Sequence, residues 1–471
     1  MASALERLIA AGLLFRQVVP PHATYLFKHA LVQDAAYGTL LREPRRVLHA
    51  RIAETLESQF KEIADNQPEL LARHCTEAGL IEKTVGLWGK AGQRLLECSA
   101  LREAAEQFIC GLGLVESLPT TAALRREQIN FQVGLANALM HTAGRAAPET
   151  KAFIDQARLL IERAESLGDT LEDPLVLFSV LYGLWNATYI VFNGEALREL
   201  SVEILTLAEK QWTPAPLMIG HRLMAMSLLH TGDVAAAQAH FDRAVALYDP
   251  AAHRPLTTRF GQDARVAILA FRSLALWLLG YPKSALADCD QAVGYARELG
   301  LAATLMYGLG ITRLQHTLCG NYVTANALID ELDALANDKG AVFWKVAEMY
   351  RGWVLALKGE ASDAVRMIIA GNRISRSTGT TVYLPLSASY LASAYAQLAR
   401  LDDARRCIGE AITATETTGE RWCEAEINRI AGEIALRFTG AGYSGSASVF
   451  RASVNSSSRA AGKVMGTPRR H

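Results

Sequence analysis

Lys28, His29 and Asp34 fall within one short stretch, LFKHALVQDAAYGTLL, residues 26–41. A cation, an imidazole and a carboxylate this close could pass a proton between them. They could equally be surface charges at a joint between two modules. A second group sits in YDPAAHRPLTTRFGQDARV, which holds His253, Arg254, Arg259, Gln262, Asp263 and Arg265. Its arginines have the fork geometry that pairs with phosphate or carboxylate. The competing expectation is a surface loop in which Arg259 and Asp263, at i,i+4, form a weak helix-start ion pair.

Other chemistry finds little footing. The histidines make no H-E-x-x-H motif, and His221 and His230 stand nine apart, so no metal site is expected. The seven cysteines (Cys75, Cys98, Cys110, Cys289, Cys319, Cys407, Cys423) are odd in number and form no C-x-x-C pair. This usage points to a reducing cytoplasm without a disulfide framework. No G-x-S-x-G occurs; GYSGS at 442–446 is the nearest approach. No phosphate loop occurs either, since Gly462-Lys463 is followed by Val464. No catalytic residue and no cofactor is expected.

The elements that must position these residues are helices. From about residue 66 to 436 apolar residues recur at helical spacing, interrupted by short breaks. Gly232, Gly280, Gly320, Gly359 and Ala399 mark one series of turns, and Ala237, Ala285, Ala325, Ala364 and Ala404 follow five places on. Gly300, Gly340, Gly379 and Gly419 mark a second series. Both repeat at roughly 40 residues, the range of tetratricopeptide and related helix-pair repeats. One interval, Gly232 to Gly280, is longer, and the excess is the loop with the arginines. A long connection in a regular array is often functional. Trp185, Tyr189, Phe192, Trp277, Tyr281, Trp344, Tyr350, Trp353, Tyr383, Tyr390, Tyr395 and Trp422 recur at matching points of the units and are expected to fill inter-helix core.

The first residues differ. LERLIAAGLLF predicts a helix ending near Gly12, FRQVVPPHATYLFKH a β-hairpin with Pro20, Pro21 and His22 at its tip, and LVQDAAYGTLL a second helix. Helix, hairpin, helix is the last part of a winged-helix domain. The fold class is therefore all-α: a right-handed superhelical α-solenoid of tetratricopeptide-like helix pairs with a small winged-helix remnant carrying a hairpin. The expected domains are 1–65 (remnant and connector), 66–437 (solenoid) and 438–471 (tail).

Composition bounds the partners. Lys+Arg and Asp+Glu both number 48 in 471 residues, for a formal net charge of +0. Without a basic excess no nucleic acid is expected, and without a long apolar run no membrane span.

Longer segments carry a family resemblance. YLFKHALVQDAAYGTLL, RVLHARIAETLE, QPELLARHCTEAGL, LWGKAGQRLLE, ALWLLGYPKSALA and TTGERWCEAEINRIAGEIAL, together with the arginine loop, resemble bacterial class III adenylate/guanylate cyclases joined to a signal-transduction ATPase and a C-terminal tetratricopeptide-like solenoid. The resemblance covers about residues 1–437. It implies a regulatory solenoid that binds a protein partner or small effector and associates with a cyclase/ATPase module. The family's catalytic domains precede this part, so none of its catalytic residues maps onto a position here. Lys28, His29 and Asp34 would then stand at the joint with the ATPase. The alternative is a fragment of an ATPase–solenoid transcription regulator.

After Leu436 the chain turns Ser/Gly/Ala-rich and ends basic. As protein this is a disordered tail. Shifted one base, allowed codons for KVMGTPRRH read Lys-Ser-Trp-Glu-Leu-Arg-Ala-Ala, and those for VFRASV read Tyr-Phe-Glu-Arg-Ala-Leu, both repeat-like. The expectation is a frameshift product and a solenoid without its capping repeats, open to self-association.

Overall fold

The computed structural model describes residues 2–17, 25–144, 147–169, 173, 175–211, 213–341, 344 and 347–440. The expected hairpin tip and the tail beyond Gly440 lie outside them. The chain divides into two compact units, Met1–Ala91 and Gly92–His471.

The first unit opens with α1 (Ala2–Ala10), followed by β1 (Leu14–Arg16) and β2 (Tyr25–Phe27). The strands pair antiparallel in the register Leu14 to Phe27, Phe15 to Leu26 and Arg16 to Tyr25, the hairpin expected from the alternation. Then come α2 (Ala30–Gly38), α3 (Arg42–Gln59), α4 (Lys61–Asn66), α5 (Pro68–Ala78) and the start of α6 (Ile81–Glu97). Ala53, Ala64, Leu71 and Cys75 form its small core. No residue of α2 is buried.

The second unit is a stack of antiparallel helix pairs. After α7 (Leu101–Val115) the pairs are α8 (Ala122–Thr142) with α9 (Pro148–Ser166), and α10 (Leu175–Ile190) with α11 (Gly194–Gln211). α12 (Pro214–His230) pairs with α13 (Val234–Leu247). Two single-turn helices, α14 (Pro250–His253) and α15 (Thr257–Phe260), flank a 3-10 turn at Arg254–Leu256. The stack resumes with α16 (Ala264–Leu278) and α17 (Pro282–Leu299), α18 (Ala302–Leu318) and α19 (Tyr322–Asp338). It ends with α20 (Ala347–Lys358) and α21 (Ala361–Ser377), α22 (Leu384–Gln397) and α23 (Leu401–Thr418), and α24 (Glu424–Gly440).

Sequence separates the two members of each pair. The second helices bury one stripe: α13 buries Ala237, Phe241 and Ala244, at i, i+4 and i+7, flanked by the partly buried Val234, Ala236, Val245 and Leu247. The first helices are buried nearly all round. In α12 the run Arg222 to His230 is buried without a break. A helix buried on nearly every side must lie between neighbours, so α10, α12, α16, α18, α20 and α22 form the inner layer. Inner residues such as Leu223 and Phe271, almost wholly buried, each contribute on the order of 1.5–3 kcal/mol.

Ala237, Ala285, Ala325, Ala364 and Ala404 are all fully buried, as close helix approach requires. Gly232, Gly280, Gly320 and Gly359 turn with φ of 96, 88, 77 and 87°, and Ala399 takes the same place at φ 58°. A Cβ in that left-handed conformation costs roughly 1–2 kcal/mol, which explains why glycine holds the other turns.

The stack closes on itself. Thr381 and Val382, between α21 and α22, donate their N–H groups to the Ile190 carbonyl at the end of α10, at 2.8 and 3.1 Å. Arg421 and Trp422, between α23 and α24, donate to the His230 carbonyl at the end of α12, at 2.8 and 3.3 Å. Late turns thereby cap the C-terminal carbonyls of early inner helices.

Candidate functional site

A partly open cavity lies among the inner helices. Tyr189 and Ile190 come from α10, Phe271 from α16, Tyr307, Gly310, Ile311 and Arg313 from α18, and Met349 and Tyr350 from α20. Trp344, Ser375, Thr380, Val382 and Tyr383 complete the lining. A Cβ on Gly310 would overlap the Trp344 ring, so glycine here lets the indole pack close against α18. The mainly aromatic and aliphatic lining with a few polar groups is the kind that small-molecule pockets use.

One wall is a hydrogen-bonded chain. His230 Nδ1 lies 2.9 Å from the Met226 carbonyl and so carries its proton. Nε2 then accepts from the Tyr189 hydroxyl at 3.0 Å, and the Tyr189 oxygen accepts from Tyr383 at 3.0 Å. Burial pushes the His230 pKa down to about 4 and raises both tyrosines well above their ordinary value. Behind it, Glu420 is fully buried. Its carboxyl accepts from the Tyr383 backbone N–H at 3.0 Å and from Trp422 Nε1 at 2.9 Å. Tyr383 itself is held at φ 68°. Burial pushes the Glu420 pKa up to about 7, against the pull of those two donors.

Among the described lining residues the charge comes from Arg313. Its side chain is 2% exposed, and its guanidinium stacks on Tyr350 with the carbon 3.5 Å from the ring centroid. Nε and Nη1 make no hydrogen bond, and no ion pair reaches Arg313 among the described residues. Burial lowers its pKa from the ordinary arginine value, partly offset by Tyr350. Uncompensated buried charge is costly, and in a core built for packing alone an apolar side chain would serve better. The signal for this residue was present as a lone cation in the apolar helix AATLMYGLGITRLQHTL, but its burial depends on the closure of the stack.

The residues singled out in the sequence lie elsewhere. The long connection is folded into α14, the 3-10 turn and α15, and much of it is buried. This corrects the expectation of an open polar surface loop. His253 is 2% exposed and accepts the Asp249 N–H at 2.9 Å. Asp263 caps α16 through the Val266 N–H at 3.1 Å and takes the Tyr248 hydroxyl at 2.8 Å. The expected Arg259–Asp263 pair does not form, because helix capping claims Asp263 and Arg259 turns to Asp173 at 2.5 Å. Arg254 donates Nε to the Tyr295 hydroxyl at 2.8 Å, and the Arg254 and Arg265 guanidiniums lie 5.3 and 5.1 Å from the Tyr295 ring. Gln262 donates to Tyr182. The fold thus gathers Arg254 and Arg265 about Tyr295 and sends Arg259 and Gln262 in other directions.

In the first unit Lys28, His29 and Asp34 are all exposed. The Lys28 ammonium lies 5.8 Å from the Phe15 ring. His29 occupies the N-cap of α2 without a side-chain capping bond. No hydrogen bond or ion pair joins the three among the described residues.

Most of the aromatic residues expected in the core are buried, whereas Tyr281 is 59% exposed. Several of the buried ones form the cavity wall as well. Histidines from different helices also meet: His221 Nδ1 lies 3.0 Å from His240 Nδ1, and His49 Nδ1 lies 2.8 Å from His74 Nδ1. Among the described residues no group of three or more His, Cys, Asp or Glu could hold a metal, and no helix is long and apolar enough to cross a membrane.

No family model matches the chain. It is 23% identical over 435 residues to an uncharacterized protein of Rhizobium meliloti (strain 1021), covering 91% of this chain and 41% of that protein. The chain therefore spans about two fifths of the length of the curated relative it matches. Among solved structures it is similar to a Rap protein complexed with competence and sporulation factor, with TM-score 0.46, 11% identity, and coverage of 75% of this chain and 99% of that one. It is also similar to NprR in complex with its cognate peptide NprX, with TM-score 0.45, 12% identity, and coverage of 67% and 90%. The Cut9–Hcn1 hetero-tetramer of APC/C matches with TM-score 0.38, 12% identity, and coverage of 88% and 89%.

Proposed function

We propose that this chain is a non-catalytic sensor and protein-interaction module, a tetratricopeptide-like solenoid that takes up a small effector in its central cavity and reports occupancy to a cyclase and ATPase module. One observation carries the effector part. Val382 lines the cavity, and its own N–H is one of the bonds that close the superhelix. A ligand pressing on that wall must also change how the late turns seat on α10 and α12, and solenoids transmit such small displacements along the stack. The first unit supports the association. It leaves Phe15, Leu26, Phe27, Leu31 and Leu41 exposed, with Leu31 at 82% and Leu41 at 77%, the kind of apolar surface that marks an interaction site.

The test is a small-molecule screen read by hydrogen exchange. Binders should protect the amides of Thr381, Val382 and Trp422, and in a protein that carries cyclase and ATPase domains the cavity-filling Thr380→Trp should alter cyclic-nucleotide output. Binders that map outside the cavity, or that leave those amides unchanged, would sink the effector reading.

A further inference from the structure

We propose that the central cavity recognises an organic monocarboxylate with a flat or apolar body, its carboxylate on Arg313 and its body against Trp344, Tyr307 and Phe271. This rests on the effector reading above and names the class of effector. Arg313 is almost wholly buried, lines the cavity, and has Nε and Nη1 without a hydrogen-bond acceptor. A guanidinium keeps its charge when buried and forms short, charge-assisted bonds to a carboxylate. The neighbours do not neutralise it. Glu420, the buried carboxyl nearest this wall in the bonding chain, gives its oxygens to Tyr383 and Trp422. The missing counter-charge is therefore left to a ligand.

The rest of the lining sets the remaining chemistry. Among the described residues Arg313 is the single charged residue of the lining, which suits one negative charge better than a phosphate dianion. The other walls are mainly aromatic and aliphatic and suit a flat apolar body. Tyr350 beneath the guanidinium fixes its plane, so the site is organised before anything binds.

The test uses the full chain with 4-phenylbutyrate and 2-naphthylacetate, their primary amides, and inorganic phosphate, read by calorimetry and by the shift in Tm. Each acid should bind at least tenfold tighter than its amide, and phosphate should not match either acid. Arg313→Met should abolish the preference for acid over amide while retaining amide binding. Arg313→Gln, which keeps a polar head in the same space, should do the same and separates charge from packing. Equal binding of acid and amide, undiminished acid binding in both variants, or no acid binding at all would overturn the proposal. The effector reading falls on a different result, binders that map outside the cavity.

Discussion

Glu420 makes the stability of the closed superhelix depend on pH. Its pKa of about 7 stands above the ordinary glutamate value of 4.5, and the cause is burial. A carboxyl whose pKa is raised by folding stabilises the native state fully below the unfolded value. That contribution is lost as pH rises through the folded value. The window is therefore about 4.5 to 7, and 2.5 pH units correspond to about 3 kcal/mol. Glu420→Gln removes the titration while an amide oxygen still faces the Tyr383 and Trp422 donors. The variant should match the wild type near pH 5, gain on it up to about pH 7, and hold that difference to pH 8. Repeat arrays open in pieces, so the assay should be local: hydrogen exchange at the Tyr383 amide, wild type against variant at each pH. A difference that stays flat from pH 5 to 8, or a wild type that gains on the variant, would refute the reasoning.

Two further predictions concern packing and acid. A Cβ on Gly371 would come within 2.6 Å of Met349 Cα, so Gly371→Val should force α20 and α21 apart and lower the apparent unfolding free energy by roughly 1–3 kcal/mol or more, measured by urea titration. Burial and the neighbouring His240 hold the His221 pKa down to about 4. A depressed histidine loses its favourable contribution as pH falls from 6.5 toward 4, so His221→Asn should flatten the acid limb of a Tm-versus-pH curve over that window. An unchanged limb would count against the pairing.

Much of the architecture was legible because helix pairing writes itself locally. The spacing of Gly280, Gly320 and Gly359, and of the alanines five places on, follows from turn sterics and from the close approach of neighbouring helices, which each repeat must satisfy. The hairpin was legible for the same reason, from alternation and the prolines between its strands. The long connection was visible as an excess of residues, but its burial was not. Asp263 and Gln262 look like surface polar groups until the N-terminus of α16 and the Tyr182 hydroxyl are brought to them.

The sequence alone determined the period, the turns and the stripe of each outer helix, since all are contacts within about 40 residues. Only the tertiary structure decided the cavity. Tyr189 and Tyr383 meet across 194 positions, and Arg313 becomes a buried cation only once the late turns have seated on Ile190 and His230. Closure of a superhelix is set by the sum of small rotations along the stack, a quantity that no single repeat records.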